Sequence, residues 1–321
     1  MIEIAGLILP LFGLILLGFV TARITRQPIE ALGWMNTFII YVALPALFFK
    51  LLAQTPVEQL TNWRFILTNV GVTFAIFVSV FVLGLIARGG VAGATIQGLA
   101  GAYGNIGYMG PALAILTFGE QAAIPVALIF CFENIMHFAI APFLMAVAGG
   151  EEKRSLPQIV LGVITSIIFH PFILATAVGV GAAYLSFAPP EPLERLLDYL
   201  AQAAAPCALF AMGVILALRP LKRMPPELSF ILPAKLIAHP IAMYLALSYF
   251  GDFDPIWVFT AVLLASLPTA TNVFVIAQQY GVWVERASAA VLLTTVLSIL
   301  SVAALLYGIK NGLLPGDLFP S

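Results

Sequence analysis

The 321 residues are 62% hydrophobic and only 9% charged, against about 25% charged in a soluble domain, so there is too little polar surface to cover a soluble globule of this size. The net charge of −1 gives no electrostatic case for a nucleic-acid partner, and the two isolated cysteines, Cys131 and Cys207, make neither a disulfide framework nor a metal site. Lipid can be the solvent instead: apolar stretches of roughly 20 residues, enough to cross a bilayer core of about 30 Å, recur from one end of the chain to the other.

The first apolar run follows Met1-Ile2-Glu3. It has no basic n-region and no small-residue cleavage site, so it reads as a retained helix rather than a signal peptide. Ten spans follow in order, near 4–22, 31–53, 63–87, 93–118, 122–147, 158–184, 196–218, 229–249, 256–280 and 285–309. Runs this long and this apolar must satisfy their backbone internally, which makes helices the expectation and an all-α membrane protein the fold class. With the N-terminus outside, the inner loops carry nine basic residues (Arg23, Arg26, Arg88, Lys153, Arg154, Arg219, Lys222, Arg223 and Arg286). The outer side carries four (Lys50, Arg64, Arg195 and Lys310). The excess of basic residues places both termini on the outside of the cell membrane.

The two halves of the chain resemble each other. Pro10 matches Pro171, Pro45 matches Pro206 and Pro111 matches Pro268, at offsets that agree within four residues. Five spans per half means that the second half enters the membrane upside down, a common architecture of secondary transporters. The implied organisation is a first five-helix repeat over 1–148, a cytoplasmic linker over 149–157 and a second, inverted five-helix repeat over 158–321.

Spans four and nine hold the most informative residues. Span four reads GLAGAYGNIGYMGPALAI, with Gly98, Gly101, Gly104, Gly107 and Gly110 leading to Pro111. Glycine costs about 1 kcal/mol in a helix interior and proline about 3, so this helix is expected to open near the midplane, beside Asn105 and Tyr108. Span nine repeats the theme with Ser266, Pro268, Thr269, Thr271 and Asn272. Helices broken inside a bilayer are tolerated where they are buried or line a wet cavity, and half-helix N-termini meeting there make an anion site without a fixed positive charge. A carboxylate between spans four and nine, held by such N–H groups with Asn105, Thr269 and Asn272, is one reading. The other is that the glycines only allow helices to pack closely. Both can hold.

Buried ionisable residues come next. Glu133 lies about eleven residues into span five, with His137 one turn later on the same face. Lys235 lies about seven residues into span eight, with His239 at i+4 before Pro240. A charge at the bilayer centre costs from about 2.5 to more than 10 kcal/mol, and such residues mark transport paths by default. Glu133 and Lys235 fall at similar depths. They are candidates either for proton or ion coupling, together with His137, or for a fixed structural pair with Lys235 snorkelling to the inner surface. His170 reads as a satisfied core residue, and the role of Lys50, close enough to the end of span two to snorkel, is open. No phosphate-binding loop, metalloprotease motif or nucleophile elbow is present, so neither ATP-driven transport nor an intramembrane enzyme is supported, and no cofactor or metal is expected.

The texts YVALPALFF in span two, GNIGYMGPALAILTFG in span four, LFAMGVILALRP in span seven, AKLIAHPIAM in span eight and ASLPTATNVFVIAQQYG in span nine resemble the auxin efflux carrier family over nearly the whole chain. That family includes plant auxin carriers and bacterial permeases for malonate or malate. The resemblance implies ten helices in two inverted repeats of the bile-acid-symporter or NhaA-like kind. Helices 1, 2, 6 and 7 would form a scaffold that makes homodimers, and helices 3–5 and 8–10 would form a transport domain. Helices four and nine would cross at Pro111 and Pro268, with Asn105 contacting the substrate. The implied binding set is Asn105, Tyr108, Gly110, Pro111, Pro268, Thr269, Thr271 and Asn272. Thr269 stands where the plant members have glutamine, and the long loop between the halves is reduced to GGEEKRSLP, which favours a carrier of small organic anions over one of auxin. The alternatives are a sodium-coupled symporter of the bile-acid type and a ligand-binding membrane sensor.

Overall fold

A computed structural model describes residues 2–149, 161–162, 164–165, 168–169, 171–218 and 224–319. His170, the linker from residue 150 onward and the basic residues Lys153, Arg154, Arg219, Lys222 and Arg223 lie outside the described residues. In chain order the principal helices are α1 (Ile2–Thr25), α2 (Ile29–Ala53), α3 (Trp63–Ile86), α4 (Gly90–Ala102), α5 (Gly110–Phe118) and α6 (Glu120–Val147). They continue with α7 (Pro171–Tyr184), α8 (Glu191–Leu218), α9 (Leu228–Phe250), α10 (Pro255–Ser266), α11 (Thr271–Gln279) and α12 (Val284–Lys310). Six of these, α2, α3, α6, α8, α9 and α12, are long and apolar enough to cross a membrane by length and composition. No strand occurs among the described residues; the one extended pairing is an isolated antiparallel bridge between Gly104 and Thr269.

The chain forms two compact units. The first comprises Met1–Trp63, Gly107–Cys131 and Phe169–Pro220. Here α1 lies along α8 at backbone contact, which only the absence of two side chains permits. A Cβ on Gly213 would fall 1.9 Å from the Ile15 carbonyl oxygen, and one on Gly18 would fall 2.1 Å from that of Phe210. Small residues that let membrane helices approach this closely replace the hydrophobic drive that lipid cannot supply. Gly179 of α7 does the same against Phe49 and Leu52 of α2. Phe48 stacks on Phe130 at 4.3 Å, and Lys50 pairs with Asp198 of α8 at 2.5 Å.

The second unit comprises Arg64–Ile106, Phe132–Ile168 and Leu221–Ser321. Gly98 and Gly101 seat α4 on α3, since a Cβ at either would meet Phe77 at 2.8 Å or Val80 at 2.6 Å. These two glycines therefore serve packing. The helix itself opens one turn later. Helix α10 starts with Asp254 accepting from the Ile256 N–H at 2.7 Å and with Pro255 in its first turn, the favoured cap chemistry for a helix start. Helix α9 widens to a π-turn over Ala234–Ala238, immediately before His239 and Pro240. Proline lacks an N–H and clashes with the carbonyl one turn back, and a wide turn relieves both.

Replacing Gly213 with alanine should force α1 from α8 and cost about 1–3 kcal/mol, as overpacking does. Thermal unfolding in detergent would show it as a lowered midpoint. Gly71→Ala, at a glycine with nothing within 4 Å, is the control; equal midpoints for the two would show that the helices separate freely.

Candidate functional site

The site is built where two helices of the second unit are interrupted. Helix α4 ends at Ala102, and Tyr103 continues in extended conformation (φ −74°, ψ 97°). Helix α10 ends at Ser266 because Leu267 precedes Pro268 and is pushed out of the helical region to φ −63°, ψ 153°. The two extended stretches run antiparallel. The Asn105 N–H donates to the Pro268 carbonyl at 2.7 Å, and the Ala270 N–H donates to the Tyr103 carbonyl at 2.9 Å. Each break thus satisfies the other's backbone.

This changes the expected source of anion-binding groups. The backbone N–H groups of Asn105 and Ala270 are already used within the fold. Thr269 is used as well: its hydroxyl donates to the Ala100 carbonyl at 2.6 Å, and its N–H donates to the Thr294 hydroxyl at 3.1 Å. Pro268 supplies the bridging carbonyl. What α11 offers is its first turn, from Thr271 and Asn272, where helical N–H groups lack intrahelical partners. Asn272 donates from Nδ2 to the Tyr103 hydroxyl at 2.9 Å, and that hydroxyl in turn donates to Asn134 of α6. The Tyr103 ring stacks on His137, centroids 4.1 Å apart and planes 7° from parallel.

Three of the candidate residues belong to the first unit. Tyr108 is half-buried on the connection into α5, and Gly110 and Pro111 begin that helix. Pro111 therefore sits at the restart of its helix, where proline is at home, whereas Pro268 sits inside the break.

Lys235 is fully buried and does not snorkel. Its ammonium donates to the Ala265 carbonyl at 2.6 Å, in the last turn of α10, where a cation complements the helix dipole. A Cβ placed on Gly104 would stand 3.3 Å from Lys235 Nζ and 3.2 Å from the Leu264 carbonyl oxygen. The lysine thus brings a positive charge to the foot of the crossing, and a side chain at 104 would press on it.

Among the described residues Glu133 and Lys235 form no direct salt bridge. Two residues stand between them. The Thr73 hydroxyl of α3 donates to Glu133 Oε1 at 2.7 Å and lies 3.1 Å from His239 Nε2. His239 Nδ1 lies 3.2 Å from Lys235 Nζ. The sequence marked His239 only as a neighbour of Lys235, and it left Thr73, Tyr103, Asn134 and Thr294 unmarked. Asn69 and Thr73, polar at i and i+4 in the mostly apolar α3 and both buried, are a signal that points to the buried face.

A family profile described as "Membrane transport protein" matches residues 4–306. A Rhizobium meliloti (strain 1021) protein named "Putative malonate transporter" is 66% identical over 322 residues, covering 100% of each chain. A Methanothermobacter thermautotrophicus protein named "Uncharacterized transporter" is 25% identical over 296 residues, 92% of this chain and 94% of its own. Both relatives carry transporter names, and the choice of transporter over enzyme stands on these matches.

Thr269→Val removes a hydrogen bond from a fully buried carbonyl and should cost about 1–3 kcal/mol, whereas Thr269→Ser should cost little. Denaturant unfolding in detergent checks this; equal losses in the two variants would show that the hydroxyl is not what matters.

Proposed function

The chain belongs to the auxin efflux carrier family of membrane transport proteins, and on that premise we propose that it moves small organic anions across the membrane by alternating access. The observation that carries this reading is the crossing at Gly104 and Thr269 with the buried Lys235 ammonium at its foot. A structural core gains nothing from two helix breaks, several buried polar side chains and a buried lysine in one place. An anion path gains a positive charge and oriented donors without a wide pore.

In this proposal the anion sits at the crossing, facing Asn105, the first turn of α11 at Thr271 and Asn272, and the charge of Lys235. The backbone pairing between the breaks keeps these groups fixed. A fixed arrangement of donors binds without first paying for its own ordering. The substrate class is a mono- or dicarboxylate. The printed name of the rhizobial relative points to malonate, and a second carboxylate is well served by a lysine close to the first. The ten spans form two inverted five-helix repeats with both termini outside. Helices 1, 2, 6 and 7 act as scaffold and 3–5 and 8–10 as the transport domain. The grouping of α3, α4, α9, α10, α11 and α12 in one compact unit supports most of that division, while α5 and the first part of α6 fall in the other unit. The scaffold is expected to form a homodimer.

Purified protein in proteoliposomes should take up labelled malonate saturably. Asn105→Ala should lower that uptake about tenfold, the loss of one hydrogen bond to a charged group of roughly 1.5 kcal/mol. Malate and indole-3-acetate run alongside. Neither flux nor binding of any of the three would sink the carboxylate assignment.

A further inference from the structure

We propose that Glu133, Thr73, His239 and Lys235 form a proton relay ending at the crossing, so that one proton enters with each anion. This rests on the transport reading above and adds to it a driving ion and a path.

The four side chains come from three helices, α6, α3 and α9, and are 0–3% exposed. Their contacts run in series: Nζ to Nδ1 at 3.2 Å, Nε2 to Oγ1 at 3.1 Å, and Oγ1 to Oε1 at 2.7 Å. Donor and acceptor roles allow one sense only. An ammonium has no lone pair, so it donates to Nδ1; Nε2 then carries the ring hydrogen and donates to Thr73; the threonine hydroxyl hydrogen is left for Glu133. Every internal member both accepts and donates. A cluster that merely neutralised charge would be expected to bring carboxylate and ammonium into contact. Here they are held apart by the two kinds of group that pass protons.

The step balances. The ammonium proton passes to Nδ1, the Nε2 proton passes to the threonine oxygen, and the hydroxyl proton passes to Glu133. The result is an amine, an imidazole of the other tautomer, an intact hydroxyl and a carboxylic acid, with no change in net charge. A proton arriving at the amine restores the ammonium, which gives up its contact with the now protonated Nδ1 and keeps its donation to the Ala265 carbonyl, while Glu133 stays protonated. The relay has then gained one proton and one positive charge. Its lysine end lies against Gly104 at the crossing, so an anion bound there meets a relay of net charge zero before the proton arrives and of net charge +1 after. Anion and proton therefore strengthen each other's binding, and by linkage the effect is mutual. The other titratable groups nearby are Tyr103 and His137 of α6, which stack on each other; His137 also interacts with the Glu133 backbone and with the charges of Lys235 and His239.

The test uses the whole protein in proteoliposomes clamped at zero membrane potential. Malonate accumulation is read against an imposed pH gradient, and a pH dye reads proton entry. Malonate–malonate exchange, which needs no net proton movement, is read separately. The wild type should accumulate malonate about tenfold more for each pH unit, as one-proton coupling requires, and should take up protons on malonate addition. Thr73→Val should keep exchange and lose gradient-driven accumulation; Thr73→Ser should keep both. A carrier whose substrate brought its own proton would be indifferent to Thr73→Val, so unchanged gradient dependence in that variant overturns the relay and leaves the transport reading standing. Wild-type flux with no response to the gradient does the same, whether or not the variant folds. A folded Thr73→Val protein that has also lost exchange overturns it too, by placing Thr73 in anion binding. Absence of exchange and uptake of malonate, malate and indole-3-acetate in the wild type removes the transport reading and the relay together.

Discussion

Two interrupted helices face the same difficulty in an apolar interior: each break frees backbone groups that neither water nor the rest of its own helix can satisfy. Unpaired, each such group costs several kcal/mol in hydrocarbon. The chain solves this by setting the breaks against one another, so that Asn105 and Ala270 donate to Pro268 and Tyr103 across the gap. Everything else at the site follows from that exchange. It fixes Thr269 against Ala100, brings Asn272 to the Tyr103 hydroxyl, and leaves the open end of α10 for Lys235 to cap.

The charged groups obey the same logic of mutual support. A buried ammonium alone is costly; here it meets the negative end of a half-helix, a carbonyl and an imidazole. A buried carboxylate alone is equally costly, and Glu133 meets a hydroxyl oriented by that same imidazole. Removing any one member strands the next, which is why these side chains are better regarded as a unit than as a sum of pairs.

Much of this was legible in the sequence. Ten apolar windows can be drawn along the chain and six of the described helices are long and apolar enough to cross a membrane. Gly104, Pro111 and Pro268 point to breaks because glycine and proline are costly inside a helix, though Pro10, Pro142 and Pro206 lie within unbroken ones. The pairing between the breaks was not legible: it joins residues far apart in sequence, and nothing local at Asn105 says that its N–H is spent on Pro268. The same holds for Thr269, whose hydroxyl looks free for a substrate but serves Ala100. Thr73 was hidden for a different reason. Threonines of membrane helices commonly bond their own carbonyl one turn back, as Thr95 and Thr117 do to Val91 and Leu113, so a threonine in α3 attracts no notice. Only the tertiary fold shows that Thr73 turns outward to other helices instead.

The wide turn at Ala234–Ala238 has a consequence for how this helix tolerates change. A π-turn holds one more residue than an α-turn, and one residue corresponds to about 100° of rotation around the axis. The faces of α9 before and after the turn are therefore kept in phase by a count of residues and not by which residues they are. Point substitutions along the lipid side of α9 leave that phase untouched. The loss of a single residue within the turn would close it to an α-turn and keep that phase, whereas the gain of a further residue, which the already wide turn cannot absorb, would rotate the helix beyond it and swing His239 away from Thr73. In this stretch, length carries as much of the specification as chemistry does.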